Sequence, residues 1–339
     1  MSFSRILAAA LWALAALPIM AASSSGARVL PMAAGPFLAP PLARDRDEGG
    51  RLSSESTSAK GLLYVAHATN PGGEVAIYKQ EGSAQRPIGR IKDGVDGPFG
   101  LFVDRKRNLY VANVVNGTVT VYSPGTTSPS LTLMGAGAPY DVVVGRDGTV
   151  YVANIGDLDN PSDGSGSVLA YPPGQTTPSK TIVAFKKVGE FPTAVALDSS
   201  DNLYVVFHRP YDSARPNKPL GEILEFSQGS MTKKNLGIHI ASPLGLTIDT
   251  SNNLLVIDQS GPSVEVFPAG SSTPSKVISI PVSAAFVALN HSNDEIWVTG
   301  GFYSIVHEMS YPAGQLTDTI AKKAPYFVTG VATSPDGSS

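Results

Sequence analysis

A group of potential metal ligands lies in one polar segment, residues 155–166, which reads IGDLDNPSDGSG. Its oxygen-bearing side chains are Asp157, Asp159, Asn160 and Asp163. Carboxylate and amide oxygens at such short spacing can hold Ca²⁺, so calcium is the one cofactor that the sequence suggests. The segment departs from an EF-hand loop, because Pro161 interrupts the ligand spacing and no glutamate closes it. The alternative is a solvated turn rich in Asx and Gly.

A second candidate, Asp141, stands out when repeated segments of the chain are aligned. It is the only charged residue at its position, which begins an apolar run in every repeat. The residues at the matched position are Gly100, Ala194, Gly245, Phe286 and Gly330. We expect this position to face the mouth of a central channel. A carboxylate there must be hydrated, paired or bound to a ligand, and channel water is the alternative to a ligand.

The end of a second recurring strand supplies the remaining candidates. Asn113 and Asn154 lie there in two repeats, and we expect them to hydrogen-bond to their own turns. In other repeats the same place is occupied or adjoined by His67, His208 and Asp258. The predicted ligand-binding residues are therefore Asp141, His67, His208, Asp258, Tyr140 and Phe99.

Composition and motifs exclude several function classes. The chain has 339 residues, a net charge of −3 and no cysteine, which excludes disulfide scaffolds, thiolate metal sites and cysteine nucleophiles. The charge gives no electrostatic case for nucleic acid. No Gly-x-Ser-x-Gly, His-Glu-x-x-His or phosphate-loop motif is present. A metal site formed by His67, Asp141 and Asp258 would follow no spacing rule, and the sequence assigns no catalytic residue.

A repeated unit of 41–53 residues must position these side chains. Its markers are Tyr64, Tyr110, Tyr151, Tyr204, Leu255 and Trp297. Each unit has a Pro-x-Gly entry with an apolar run, a strand of the Asn-Leu-Tyr-Val-Ala-Asn type, an alternating strand and a weaker strand. Turn residues at every joint divide the unit into four short strands. Four-stranded units at this period are typical of propeller blades.

The blades can be counted only if the ring closes across the two ends of the repeat region. The first unit begins at Leu62 without its leading apolar run, and residues 328–337 form such a run without the strands that should follow it. We therefore predict an all-β fold, a six-bladed β-propeller with four-stranded blades. In this prediction residues 328–334 form the innermost strand of the first blade.

The repeat Pro-x-Gly-Leu-x-Val-Asp, turn, Asn-Leu-Tyr-Val-Ala-Asn resembles NHL-repeat propellers and, more loosely, SMP-30/gluconolactonase-like propellers. The resemblance covers residues 61–339. It implies one functional face, built by the Pro-x-Gly entries and the loops after the second strands. Two of those loops are long, residues 155–166 and 208–221, and would form a wall beside the central opening. The gluconolactonase-like pattern would need an early glutamate ligand, and Glu74 instead lies inside a predicted strand.

The first 60 residues lie outside the repeats. An uncharged apolar run, residues 6–20, followed by Ser25-Gly26-Ala27 predicts a secretory signal peptide over residues 1–27. An uncleaved anchor helix is the alternative, because the uncharged stretch is long enough to span a bilayer. Residues 28–60 are predicted to be a disordered linker. Export of a chain without cysteine favours a bacterial periplasm or medium.

These features predict a secreted or periplasmic binding module rather than an enzyme. Its ligand would be a protein, a peptide or a saccharide bound around the central channel, and we expect a monomer with no nucleic-acid partner and no membrane span after signal cleavage. The alternative is a metal-dependent lactonase, hydrolase or lyase with a divalent metal near Asp141. A third interpretation is a structural surface protein tethered by residues 28–60.

Overall fold

A computed structural model describes most of the repeat region of the chain. The described residues are 61–69, 72–80, 86–156, 166–187, 189–209, 219–300, 304–321 and 327–335. The predicted signal peptide, linker and calcium ligands Asp157, Asp159 and Asp163 lie outside these ranges. Within them, no helix is long and apolar enough to cross a membrane.

The described residues form 24 strands and no α-helix, as the sequence predicted. In chain order the strands are β1 (Leu62–Ala68), β2 (Gly73–Lys79), β3 (Gly89–Ile91), β4 (Pro98–Val103), β5 (Leu109–Asn113), β6 (Thr118–Tyr122), β7 (Leu131–Leu133), β8 (Pro139–Val144), β9 (Val150–Asn154), β10 (Ser167–Tyr171), β11 (Lys180–Ala184), β12 (Phe191–Leu197), β13 (Leu203–His208), β14 (Gly221–Phe226), β15 (Lys233–Asn235), β16 (Pro243–Ile248), β17 (Leu254–Asp258), β18 (Ser263–Phe267), β19 (Lys276–Ser279), β20 (Val287–Leu289), β21 (Glu295–Gly300), β22 (Ile305–Ser310), β23 (Leu316–Ala321) and β24 (Phe327–Thr333).

The strands form six antiparallel four-stranded sheets, which are the blades of a β-propeller. Blades 2 to 6 each use four consecutive strands, beginning with β4, β8, β12, β16 and β20. Blade 1 has the order β24-β1-β2-β3, so its inner strand comes from the far end of the repeat region. The register pairs Val65 with Val331 and His67 with Val328. The predicted six blades and their closure are confirmed.

Burial within each blade follows the distance of a strand from the central axis. The second strands β5 and β17 are buried at every residue, because neighbouring blades cover both of their faces. The outermost strand β15 is exposed throughout. Apolar side chains of adjacent blades interdigitate between the sheets. One such cluster joins Ile77 of blade 1 to Val111 and Tyr122 of blade 2. Stacking of blades therefore supplies the core that a single blade lacks.

Candidate functional site

The inner strands run between two faces of the propeller. The entry face carries the segments before the inner strands and the loops after the second strands. The turn face carries the turns between the first and second strands, such as residues 104–108 and 145–149. A cavity of about 760 Å³ lies on the central axis and is lined by the inner strands and by these turns. The central cavity therefore opens on the turn face.

Three aromatic rings from separate blades separate the central cavity from the entry face. The ring centroid of Tyr140 lies 5.0 Å from that of Phe99 and 5.6 Å from that of Phe286, and the third pair is 6.5 Å apart. All three side chains are buried. Phe286 lines the cavity, whereas Phe99 and Tyr140 are not among its lining residues and come just before Leu101 and Asp141, which are. The predicted ligand residues Phe99 and Tyr140 therefore pack against each other and against Phe286, and we call these three rings the aromatic plug.

Asp141 lies at the closed end of the central cavity and is one of its lining residues. Its carboxylate accepts a hydrogen bond from the backbone N–H of Val195 at 3.0 Å, which links blade 3 to blade 4. Burial raises the pKa of Asp141 to about 7, against the opposing effect of hydrogen bonds from Val195 and Val142. The carboxyl group can therefore donate or accept a proton near neutral pH.

A close approach of two backbones explains why glycine stands beside this carboxylate. A Cβ atom on Gly100 would lie only 2.4 Å from the Asp141 carboxylate and 2.6 Å from the Asp141 Cα. No side chain at residue 100 fits that gap without displacing blade 3. Gly330 is confined in the same way by the backbone of Phe99 and Leu101. The glycines of this ring allow the inner strands to converge around Asp141.

The mouth of the central cavity is built from a turn motif that the sequence analysis did not recognise. In blade 4 the carboxylate of Asp198 accepts hydrogen bonds from the backbone N–H of Asn202 at 2.9 Å and from its Nδ2 at 2.8 Å. Asp249 and Asn253 repeat these bonds in blade 5 at 2.8 and 2.7 Å. The signal is an Asp followed by an Asn four residues later. These carboxylates hold their own turns.

Neighbouring turns are also bonded to each other around the mouth. The side-chain oxygen of Asn252 accepts a hydrogen bond from the backbone N–H of Ser199 in the preceding blade at 2.9 Å. Asn293 accepts one from Thr250 at 3.1 Å in the same way. Asn252 and Asn293 both adopt a positive φ, a conformation that asparagine tolerates better than most residues. The contacts between turns fix the width of the mouth.

Charges of both signs line the mouth of the central cavity. The cations that line it come from blades 2 and 3 and are Arg105, Lys106 and Arg146. The carboxylates come from blades 2 to 5 and are Asp104, Asp147, Asp198, Asp201 and Asp249. The mouth therefore carries mixed charge, and a polar ligand would meet groups of either sign there.

The predicted site residue Asp258 is hydrogen-bonded to the backbone. Its carboxylate accepts hydrogen bonds from the backbone N–H groups of Ser242 at 3.1 Å and Ser260 at 2.9 Å. Asn113 and Asn154 play a similar part, since their side-chain oxygens accept bonds from Asp96 N–H at 3.0 Å and Ala138 N–H at 2.9 Å. All three side chains anchor the segment that enters the inner strand. Asn154 also bonds to its own turn, as predicted, through Gly156 N–H at 3.3 Å.

The two predicted histidines lie in separate blades. His67 is buried in blade 1, where its Nδ1 lies 3.4 Å from the Glu74 carboxylate, which also pairs with Arg90. His208 is buried at the end of β13, and its ring stacks on Phe191 with 5.4 Å between centroids. Neither nitrogen of His208 has a hydrogen-bond partner among the described residues, and burial lowers the pKa of His208 to about 4.

The structure does not bring His67, Asp141 and Asp258 together. Among the residues that the structure describes, no three His, Asp or Glu side chains lie close enough to hold a metal ion. The metal site formed by these three residues is therefore not present. The calcium site at Asp157, Asp159 and Asp163 stays a prediction. Of the six predicted ligand residues, only Asp141 lines the central cavity.

No protein-family model matches the chain, and no curated protein matches it either. Solved structures are similar to it. A chain in the crystal structure of a nidogen/laminin complex has a TM-score of 0.61 and 15% identity, covering 80% of this chain and 98% of that one. Apo AztD from Citrobacter koseri has a TM-score of 0.51 and 11% identity, with 83% and 99% covered. A luciferin-regenerating enzyme has a TM-score of 0.52 and 16% identity, with 69% and 78% covered. At these identities the similarity shows the fold, and the protein is a six-bladed β-propeller.

Proposed function

We propose that the protein is a secreted binding module of the NHL-repeat type whose ligand occupies the central cavity. The observation that carries the proposal is the cavity itself. Its volume of about 760 Å³ lies within the range of ~300–1,000 Å³ that is typical of small-molecule sites. One end is open at the turn face, and Asp141 lies at the other.

The central cavity is suited to binding because its walls are preformed. Inner strands of a closed ring surround it, and hydrogen bonds between turns hold its mouth. A ligand therefore orders little of the protein when it binds, which preserves affinity. The aromatic plug of Phe99, Tyr140 and Phe286 prevents passage through the ring.

Polarity inside the cavity favours a small polar ligand, such as the end of a peptide or of a saccharide. The cations and carboxylates around the mouth would pair with its charged or hydroxyl groups. At the closed end, the carboxyl group of Asp141 would offer a hydrogen-bond donor or acceptor to whichever group reaches it.

A metal-dependent hydrolase or lyase is the second candidate. The observation that favours it is Asp141, whose pKa of about 7 suits proton transfer at neutral pH. The described residues bring no set of metal-ligating side chains to this carboxyl group. Binding without catalysis does not need a set of metal ligands, and it is therefore our first proposal.

Blocking the central cavity tests the proposal. Thr247 lines the cavity on β16, so an indole in Thr247→Trp would occupy part of its volume. Saccharides, amino acids and short peptides would be screened by thermal shift and confirmed by calorimetry. Thr247→Trp should abolish binding of any hit, whereas the control Thr273→Trp, at an exposed turn residue, should bind as the parent does. Equal binding by Thr247→Trp and the parent would reject the cavity as the site.

Export is part of the same proposal. The apolar run and Ser25-Gly26-Ala27 support removal of the first 21–27 residues by a signal peptidase. N-terminal sequencing of protein from the medium or periplasm would show a start within that range. An intact Met1 in a membrane fraction would favour the anchor instead.

We also propose that the protein is a monomer. Light scattering after size-exclusion chromatography should give a mass near 35.3 kDa, less the mass of any cleaved signal peptide. A dimer mass at low micromolar concentration would contradict this part of the proposal.

A further inference from the structure

A second cavity lies on the outside of the propeller, away from the central axis. Its volume is about 420 Å³, and it runs between the outer strands of blades 3 and 4. We name it the blade 3–4 groove. Its lining residues are Val183, Ala184, Phe185, Lys186, Lys187, Glu190, Phe207, Arg209, Glu222, Leu224, Lys233 and Asn235.

The floor of the blade 3–4 groove is apolar and rigid. Phe185 of blade 3 and Phe207 of blade 4 are both buried, and their ring centroids lie 4.9 Å apart. Leu224 extends the same surface. The guanidinium of Arg209 lies 5.0 Å from the centroid of the Phe207 ring and covers one side of it. An apolar side chain entering the groove would therefore meet a surface that is already packed.

Positive charge dominates the walls of the groove. Four cations line it, against the two carboxylates of Glu190 and Glu222. Both carboxylates already have partners, since Arg209 pairs with Glu222 at 2.5 Å and Lys187 lies 3.5 Å from Glu190. The other two cations, Lys186 and Lys233, are exposed and have no carboxylate partner within the described part of the chain.

The edge of a sheet borders the groove on the blade 3 side. β11 is the outermost strand of its sheet and pairs only with β10. Its outer edge has no neighbouring strand among the described residues. Such an edge presents backbone N–H and C=O groups to which an extended chain can add.

We propose that the blade 3–4 groove binds an extended acidic peptide segment that carries an apolar side chain. The unpartnered lysines Lys186 and Lys233 would pair with its carboxylates, and the floor formed by Phe185 and Phe207 would receive its apolar group. The edge of β11 would supply the backbone hydrogen bonds. This site is independent of the central cavity, so either proposal can fail alone.

Fluorescence anisotropy with labelled peptides tests the proposal. A short peptide of alternating Glu and Leu should bind the full-length protein, whereas one of alternating Lys and Leu should not. A third peptide with Ser in place of Leu should bind more weakly than the first, because it lacks the apolar group. Affinity for the first peptide should fall between ~0.1 M and ~1 M salt, over which the Debye length drops from about 10 Å to about 3 Å.

Charge reversal locates the site. Lys186→Glu and Lys233→Glu should each weaken binding of the Glu/Leu peptide roughly threefold to tenfold, because each replaces an attraction by a repulsion. Lys276→Glu is the matched control, since Lys276 lies on the outer strand of blade 5, and it should leave the affinity unchanged. Melting temperatures of all three variants would verify that they fold.

Four results would overturn the proposal. These are no binding of the Glu/Leu peptide, equal binding of the Lys/Leu peptide, the same loss in Lys276→Glu as in the groove variants, and tighter binding of a single-stranded oligonucleotide than of the peptide. Weakening by Lys186→Glu and Lys233→Glu alone, with the expected salt dependence, would support it.

Discussion

Removal of β24 should unfold the protein, although the strand is only seven residues long. Deletion of residues 324–339 leaves blade 1 with three strands and opens the ring. The side chains lost from the core include Val328 and Val331, which are 1% and 4% exposed. The deletion also removes Ser334, whose hydroxyl accepts a hydrogen bond from Leu62 N–H at 2.8 Å.

The free-energy cost follows from these contacts. Burial of a valine side chain contributes ~1.5–3 kcal/mol, so the two valines together contribute about 3–6 kcal/mol. The deletion also leaves β1 without its ladder to β24, and each backbone group that stays buried without a partner costs about 1–3 kcal/mol. The loss is therefore comparable with a typical stability of ~5–15 kcal/mol.

Solubility, circular dichroism and thermal unfolding would measure the effect. The truncated chain should be insoluble or should lose its cooperative transition, whereas deletion of residues 28–58 should leave the melting temperature nearly unchanged. A synthetic peptide of residues 324–339, added during refolding, should restore a cooperative transition because it supplies the missing strand. If the truncated protein were soluble and melted at the temperature of the parent, the reasoning on ring closure would be refuted.

Three further variants test individual side chains. The pKa of Asp141 is raised from 3.8 to about 7, so between these pH values the folded state holds a proton that the unfolded state has released. The stability that this group contributes is therefore lost as the pH rises from about 4 to about 7. Asp141→Asn should remove a change in unfolding free energy on the order of 4 kcal/mol over that range, and parallel stability–pH curves for parent and variant would contradict this. His208 has the opposite sign, since its pKa is lowered from 6.5 to about 4 and stability is lost as the pH falls through that window. His208→Phe should therefore raise the melting temperature more at about pH 5 than at about pH 8, and a lowered melting temperature at both would show that the imidazole has a partner. Asn252→Ala should lower the free energy of unfolding, measured with denaturant, by about 1–3 kcal/mol, because it removes the hydrogen bonds to Ser199 and places alanine at a positive φ. Asn252→Gly should lower it less, because glycine tolerates that φ. Unchanged unfolding midpoints would show that the contact between turns is dispensable.

The fold could be predicted from sequence because each blade is a local unit and its sequence pattern recurs six times. Tyr110 and Tyr151 lie in strands whose flanking turns and apolar runs match, so each blade confirms the assignment of the others. Closure was predictable for the same reason, because residues 328–334 match the inner strands of the other blades. Their predicted strand agrees with β24 (Phe327–Thr333) to within a residue at either end.

The candidate site was predictable only in part. Asp141 was found because a lone carboxylate is anomalous among small and apolar residues at matched positions. The side on which the central cavity opens was not predictable, since it depends on where Phe99, Tyr140 and Phe286 meet across the axis. Those contacts join three blades and leave no local pattern. The sequence also could not show that the Asp258 carboxylate already accepts hydrogen bonds from backbone N–H groups.

The pairing of β24 with β1 also sets the order in which the molecule can be completed. Synthesis proceeds from the N-terminus, so β1, β2 and β3 are made first, while β24, the partner strand of β1, is the last strand of the ring to be made. The bond between Leu62 and Ser334 spans 272 residues, and contacts so distant in sequence form slowly. Until then β1, every residue of which is buried in the finished ring, presents an unpaired apolar edge to other chains. The nascent protein is therefore most prone to aggregate just before its final strand emerges, and a chaperone that covered β1 would act during that interval.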